Sequence, residues 1–424
     1  MEAERLLIKG AKALVGTHPA GTERLAGAAL AELPQLEHGW LMAEDGIITA
    51  MGTDADWPGV ADWNGLEVID ATDRYVLPGW CDAHTHTVFA APREGEFVDR
   101  IKGLGYAEIA AKGGGILNSA AKLRAMDEDD LYVQAKARVE ELMRQGTVAL
   151  EIKSGYGLSA ESELKMLRVV QRLKEALPLR IRATLLAAHA LPPEYKENRG
   201  RYVDLIVHEL IPQVAAEGLA DHVDCFCETN YFTVAEMERI LEAGAKHGLP
   251  GKVHVNQFTS IGGIAAAVKH RALSVDHLEV MEPADFDALR GSGVIPTLLP
   301  SCSFFLGIPY GPARQLINAG LPLALASDYN PGTTPSGNMN LVVALGCIKL
   351  RLLPGEAINA ATLNGAAAMG LAAEVGSLAV GKRASFIITK AVPSLAYLPY
   401  AFGQDHIDTV IIDGRTIRAG EAAA

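Results

Sequence analysis

Cysteine is scarce in this chain: there are five in 424 residues, at Cys81, Cys225, Cys227, Cys302 and Cys347. An odd, scattered set excludes a disulfide framework and predicts a reducing compartment. Cys225 and Cys227 share one face of a strand, and no second pair accompanies them to complete a zinc site, so both read as core thiols. Positive charge is also short. Lys and Arg number 38 against 51 Asp and Glu, a formal net charge of −13, which argues against binding nucleic acid or an anionic membrane by bulk electrostatics. Long apolar runs are missing too. No stretch reaches the roughly 18 residues that would suggest a membrane span. The first residues, MEAERLLIKGAK, lack the basic start and apolar core of a signal peptide. These absences predict a soluble, cytoplasmic protein.

What is present is ample core material, with hydrophobic residues at 49% and charged residues at 21%. A chain of this length calls for two domains, or for one large barrel with an appendage. Residues 5–75 read as short strands and loops. Trp40 to Met42, Asp45-Gly46 and Ile47-Ile48 form a hairpin signature with a type I′ turn, and Leu66 to Ile69 is a further strand. Between Gly16 and Ala31 a loop or short helix is expected. From Val76 the pattern changes to apolar strands alternating with amphipathic helices. The strands are predicted to end at His86, Lys153, Ala188, Glu228, Gln257, Glu279, Pro300 and Asp328. Asp127 caps a helix with Leu131, Ala135, Val139 and Leu142 on one face, and Gly146 stops it. Leu164, Leu167, Val170 and Leu173 mark the next. Thr233 and Glu236 form a capping box, with Gly248 as the stop, and Gly320 closes a helix that begins near Pro312.

Eight strands alternating with helices predict an α/β fold, a (β/α)8 barrel over residues 76–361, with a doubly wound sheet as the rival arrangement. After residue 360 short strands return, at Gly376 to Leu378, Ala384 to Lys390 and Thr409 to Asp413. They are too few to build a core alone. They are expected to pair with the N-terminal strands in a small composite β-sandwich domain made of 1–75 and 362–424.

Polar residues gather at the C-terminal ends of the predicted barrel strands, where barrel active sites are built. His84-Thr85-His86 closes the first strand with two imidazoles on one face. His189 follows the third strand, His254 and Gln257 the fifth, Asp276-His277 and Glu279 the sixth, and Asp328 the eighth. Four strands delivering His to one barrel end, with a carboxylate from a fifth, form a donor set suited to Zn²⁺ or a similar divalent ion. Such an ion lowers the pKa of a bound water toward neutrality. The residues alone therefore predict a metal-dependent hydrolase.

The motifs VLPGWCDAHTHTVFA, EIKSGYGL, LAAHALPPEY, SVDHLE and LASDYNPGT resemble the amidohydrolase superfamily and, within it, the imidazolonepropionase family. They recur in the family's order from about residue 70 to 385. The resemblance implies one divalent metal ion per subunit, zinc or iron, held by His84, His86, His254 and Asp328. It places His277 where the attacking water is oriented or deprotonated, with Asp328 able to relay the proton. Arg93 matches the anchor of a propionate carboxylate. Tyr156, His189, Asn330, Gly332 and Thr333 match the substrate pocket, and Tyr106 joins them. The implied reaction is hydrolytic opening of 4-imidazolone-5-propanoate to N-formimidoyl-L-glutamate, and the implied assembly is a homodimer.

This chain departs from the family pattern at His254-Val-Asn-Gln257, where many relatives carry a carboxylate in place of Gln257. An amide there donates and accepts hydrogen bonds but does no acid or base work, which moves proton transfer onto His277 and Asp328. Lys153 lies on the second strand and not the fourth, where two-metal members place a bridging lysine, so a single ion is expected. Glu228 reads equally as a pocket residue and as an ordinary strand-end carboxylate. Two alternatives stay open on the sequence: another cyclic amidohydrolase or deaminase, and a metal-free scaffold without activity.

Overall fold

The terminal segments meet in one sheet. In the computed structural model, which describes residues 5–104, 108 and 114–418, five strands precede the barrel: β1 (Arg5–Val15), β2 (Gln35–Glu44), β3 (Ile47–Thr53), β4 (Leu66–Asp70) and β5 (Tyr75–Pro78). β2 and β3 form the expected hairpin, and Asp45 and Gly46 take φ values of 48° and 77°, the two positive angles a type I′ turn requires. β1 pairs with β2 on one edge and with β4 and β5 on the other.

Barrel strands follow as β6 (Trp80–Thr85), β7 (Thr147–Lys153), β8 (Arg180–Ala188), β9 (His222–Cys227), β10 (Lys252–Val255), β11 (Ser274–His277), β12 (Ile295–Leu298) and β13 (Ala324–Leu325). Each ends within three residues of its predicted position. All pair in parallel and in chain order. The first and last are joined beyond β13, where the Asp328 amide donates to the His84 carbonyl at 3.0 Å and the His86 amide to the Tyr329 carbonyl at 2.8 Å. Sequential order with joined ends is a (β/α)8 barrel and not a doubly wound sheet.

The helix signals act as read. Asp127 accepts from the Asp129 amide, and Leu131, Ala135, Val139 and Leu142 are buried against the barrel. Thr233 and Glu236 cap each other ahead of Val234–Lys246. Gly146, Gly248 and Gly320 adopt the left-handed conformation expected of helix stops.

The chain then returns to the first sheet with β14 (Phe386–Thr389), β15 (Ile407–Ile412) and β16 (Arg415–Arg418), and β14 pairs antiparallel with β5. Residues 46 and 48 of the first hairpin hydrogen-bond to residues 381–384, which lead into β14. The sheet therefore curls around its own core of Leu6, Ile8, Leu14, Leu41, Ile48, Val76, Phe386, Ile388 and Ile411. One expectation fails. Gly376–Leu378 is no strand, because Gly376 turns the chain at φ 89°; Leu378 instead fills the small core and its amide donates to the Gly16 carbonyl. The stretch after Gly16 ends in a 3-10 turn, Gly27–Ala31. Among the described residues, no helix is long and apolar enough to cross a membrane.

Candidate active site

The ends of β6, β8, β10, β11 and β13 bring His84, His86, His189, His254, His277 and Asp328 into one buried cluster. Ring centroids of His84 lie 5.4 Å from His86, 4.4 Å from His254 and 5.6 Å from His277. His189 stacks on His86 at 5.2 Å. Oδ1 of Asp328 stands 3.6 Å from Nε2 of His84 and 3.7 Å from Nε2 of His86. Backbone strain accompanies this convergence: His277 has φ 88° and Asp328 φ 56°, a left-handed region that branched or bulky side chains avoid at a cost of about 1–3 kcal/mol.

Carboxylates behind the rings set their tautomers. Nδ1 of His84 lies 2.8 Å from Oδ2 of Asp276, and Nδ1 of His254 lies 2.8 Å from Oδ2 of Asp224. Each ring thus donates from Nδ1 and turns an unprotonated Nε2 to the centre, the arrangement found behind metal-bound histidines. Burial is the main force that lowers the pKa of His84, His86 and His254, and neighbouring cations and imidazoles add to it for the first two. The rings are neutral, as ligands must be. Nε2 of His84 is buried with no hydrogen-bond partner. Burial likewise raises Asp328, a carboxylate short of a counter-charge. An orphaned imidazole nitrogen, neutral rings and a desolvated carboxylate fit a divalent cation.

His277 differs from the other four. Burial works against its charged form, yet the carboxylates of Glu279, Asp328 and Asp276 outweigh it and raise its pKa, while burial pulls His189 down to about 3. His277 alone of the five is shifted toward holding a proton, the kind of divergence that separates acid–base groups from ligands.

Below the rings lies a charged layer that sequence reasoning missed. Nζ of Lys153 contacts Oε1 of Glu151 at 2.7 Å and Oδ2 of Asp224 at 2.8 Å. Nζ of Lys252 donates to Oγ of Ser274 at 2.6 Å, and Asp276 accepts from the same hydroxyl at 2.6 Å. These side chains are fully or almost fully buried. Two ammonium groups face three carboxylates, so the layer leans negative beneath the centre. Lys153 is committed to this network. The signal was available, since charged residues inside strands buried on both faces must be paired.

The pocket residues sort into two kinds. Arg93 sits at the residue preceding the helix Glu94–Ile101 without capping it, and its Nε and Nη2 donate to Oε2 of Glu96 at 2.9 and 2.6 Å. Its guanidinium lies against Gly332, where an added Cβ would meet Nη1 and Cζ. Tyr156 is buried, its ring 5.7 Å from His86 and 5.5 Å from His189. Burial, reinforced by Asp328, keeps its hydroxyl protonated. Asn330 serves its own loop: Oδ1 accepts from the Gly332 and Thr333 amides, and Nδ2 donates to the Asp328 carbonyl and Oγ1 of Thr333. Gln257 is buried with Nε2 3.6 Å from Sγ of Cys302. Glu228 accepts from the Phe258 and Thr259 amides, so it fastens the loop after β10. Tyr106 lies outside the described residues.

An amidohydrolase family model matches residues 75–417. The chain is 54% identical to an imidazolonepropionase of Flavobacterium johnsoniae over 97% of its length and 99% of that protein's. It is 39% identical to one from Shouchella clausii, covering 99% and 94%. Among solved structures, E. coli guanine deaminase aligns at a TM-score of 0.74 with 14% identity, over 98% of this chain and 100% of that one. A zinc-bound adenosine deaminase from Xanthomonas campestris aligns at 0.71 with 18% identity, over 98% and 93%. At such identities the structures speak for the fold alone, whereas the sequence relatives are full-length and close. The chain belongs to the amidohydrolase family and, within it, to the imidazolonepropionases.

Proposed function

We propose that this protein opens the ring of 4-imidazolone-5-propanoate by hydrolysis, yielding N-formimidoyl-L-glutamate, with His84, His86, His254 and Asp328 holding one zinc or iron ion per subunit. The observation that carries the reading is the placement of Arg93. Its guanidinium lies against Gly332, four residues after Asp328, so a carboxylate-binding fork stands beside a cage of ion donors. A ring amide bearing a propionate needs both.

When bound, the ion supplies Lewis acidity and a source of hydroxide near neutral pH. The chain's own residues do the rest. Arg93 grips the propionate and sets the ring's position. Tyr156 and His189 line the wall against which the ring lies, with Tyr156 as a hydrogen-bond donor; Asn330, Gly332 and Thr333 complete the pocket. His277 takes the proton of the attacking water at Nε2, since Nδ1 points to Glu279. Asp328 relays that proton from His277 to the departing ring nitrogen as the carbon–nitrogen bond breaks. Gln257, an amide, orients substrate by hydrogen bonding and carries no proton. Asp276 and Asp224 keep the rings of His84 and His254 aimed. Replacing Asp224 with Asn is expected to weaken ion affinity by about 10- to 100-fold, measured by competition with a chromophoric chelator.

The same reading makes the protein a cytoplasmic homodimer acting on a small molecule and not on nucleic acid. Five free cysteines support the reducing compartment, and a net charge of −13 supports the exclusion of nucleic acid. It divides the chain into a barrel unit, 76–361, and a composite β unit, 1–75 with 362–424. The test is to follow loss of the imidazolone chromophore. Purified enzyme should consume it, chelator should abolish consumption, and Zn²⁺ or Fe²⁺ should restore it. Indifference to this substrate, with turnover of another cyclic amide or an aminated ring, would overturn the assignment.

A further inference from the structure

Beside the proposed ion cage lies a second group of donors that hydrolysis uses only in part. His277, Glu279 and Cys302 each offer one ligand atom, and the three atoms lie within 4.8 Å of one another. His277 and Glu279 come from the end of β11, and Cys302 from the first turn of the helix Pro300–Leu306 that follows β12, so neighbouring barrel strands deliver them. Their exposures are 3%, 8% and 0%. Nδ1 of His277 and Oε2 of Glu279 are both buried without a hydrogen-bond partner. They face each other at 3.6 Å, too far for a hydrogen bond. Two ligands of one tetrahedral ion, each about 2 Å from it, stand about 3.3 Å apart. Ser303 donates to Oε1 of Glu279 at 3.1 Å and so leaves Oε2 turned toward His277. An imidazole, a carboxylate and a thiol form the donor set of a soft divalent ion.

We propose that His277, Glu279 and Cys302 form a second cation site, for a thiophilic divalent ion such as Zn²⁺ or Cd²⁺, and that filling it stops turnover. The consequence for turnover rests on the role given to His277. An ion at Nδ1 leaves the ring's remaining proton on Nε2, the atom that must accept the proton of water. On binding, the Cys302 thiol releases its proton to solvent and coordinates as thiolate, with no change of oxidation state.

The experiment adds Cd²⁺ to the holoenzyme carrying its resident ion. Metal content, the ultraviolet cadmium–thiolate charge-transfer band and turnover are read together. One further equivalent should bind, the band should appear and turnover should fall in step, with the resident ion retained. Cys302→Ser should show no band, lose no turnover when Cd²⁺ is added, and bind the second ion about 100-fold more weakly, the upper end of what loss of even an indirect ligand partner costs. Glu279→Gln should weaken uptake independently. No second equivalent, Cd²⁺ taken up only in exchange for the resident ion, or uptake by Cys302→Ser equal to wild type would each overturn the site. A second equivalent with its band but undiminished turnover would keep the site and overturn the role of His277.

Discussion

Replacing His277 with Ala should lower kcat by about 10²- to 10⁴-fold, the range a positioned proton acceptor contributes. Ion content, measured by elemental analysis, should remain at the wild-type level. The expectation follows from contrast within the cluster. Burial lowers the pKa of His84, His86, His189 and His254, while at His277 three carboxylates overcome the same burial. A histidine that binds protons better than its neighbours is suited to accept one, and theirs are suited to bind an ion. KM should move little, because the imidazole acts on water and not on the propionate. Loss of the ion along with activity would make His277 a ligand. The strained φ of 88° at this position is borne equally by Ala, so the variant tests the ring and not the backbone.

Replacing Arg93 with Ala should cost about 3 kcal/mol in kcat/KM, roughly 100-fold, as a paired, charge-assisted contact to a carboxylate is removed. The effect should fall mainly on KM, and ion content should be unchanged. Arg93→Lys should recover only part of the loss, because an ammonium keeps the charge but not the planar fork. Glu96 makes this measurement sensitive. It opposes its own burial chiefly through the Arg93 contact, and it also accepts from the Gly115 amide at 2.9 Å, tying the fork to the N-terminus of the helix Ile116–Ala125. Michaelis constants are the deciding measurement, and an unchanged KM would refute the anchor.

Much of the barrel was legible because its signals are local. Strand ends at Lys153 and Ala188 coincide with the structure, since Ser154-Gly155 follows the first and Pro192-Pro193 comes within five residues of the second. Caps at Asp127 and Thr233 needed only the residues two or three positions on. Gly376–Leu378 was misread for the complementary reason: three residues with some strand character carry no information about whether a partner edge is available. Glu228 was undecided in sequence for the same cause, and its partners at Phe258 and Thr259 lie thirty residues away.

Residue type and order determined by themselves that imidazoles and a carboxylate gather at one end of a barrel, because strand periodicity fixes which face His84 and His86 share and alternation with helices fixes which end the loops occupy. What only the tertiary structure decided is how those rings are held and made different. Lys153, Lys252, Glu151, Asp224 and Asp276 are spread over four strands, and their pairing exists only once the barrel closes and water is excluded. That closure makes the rings neutral and aimed, and sets His277 apart from them, since a pKa depends on distances between strands and on burial, neither of which is written in the order of residues.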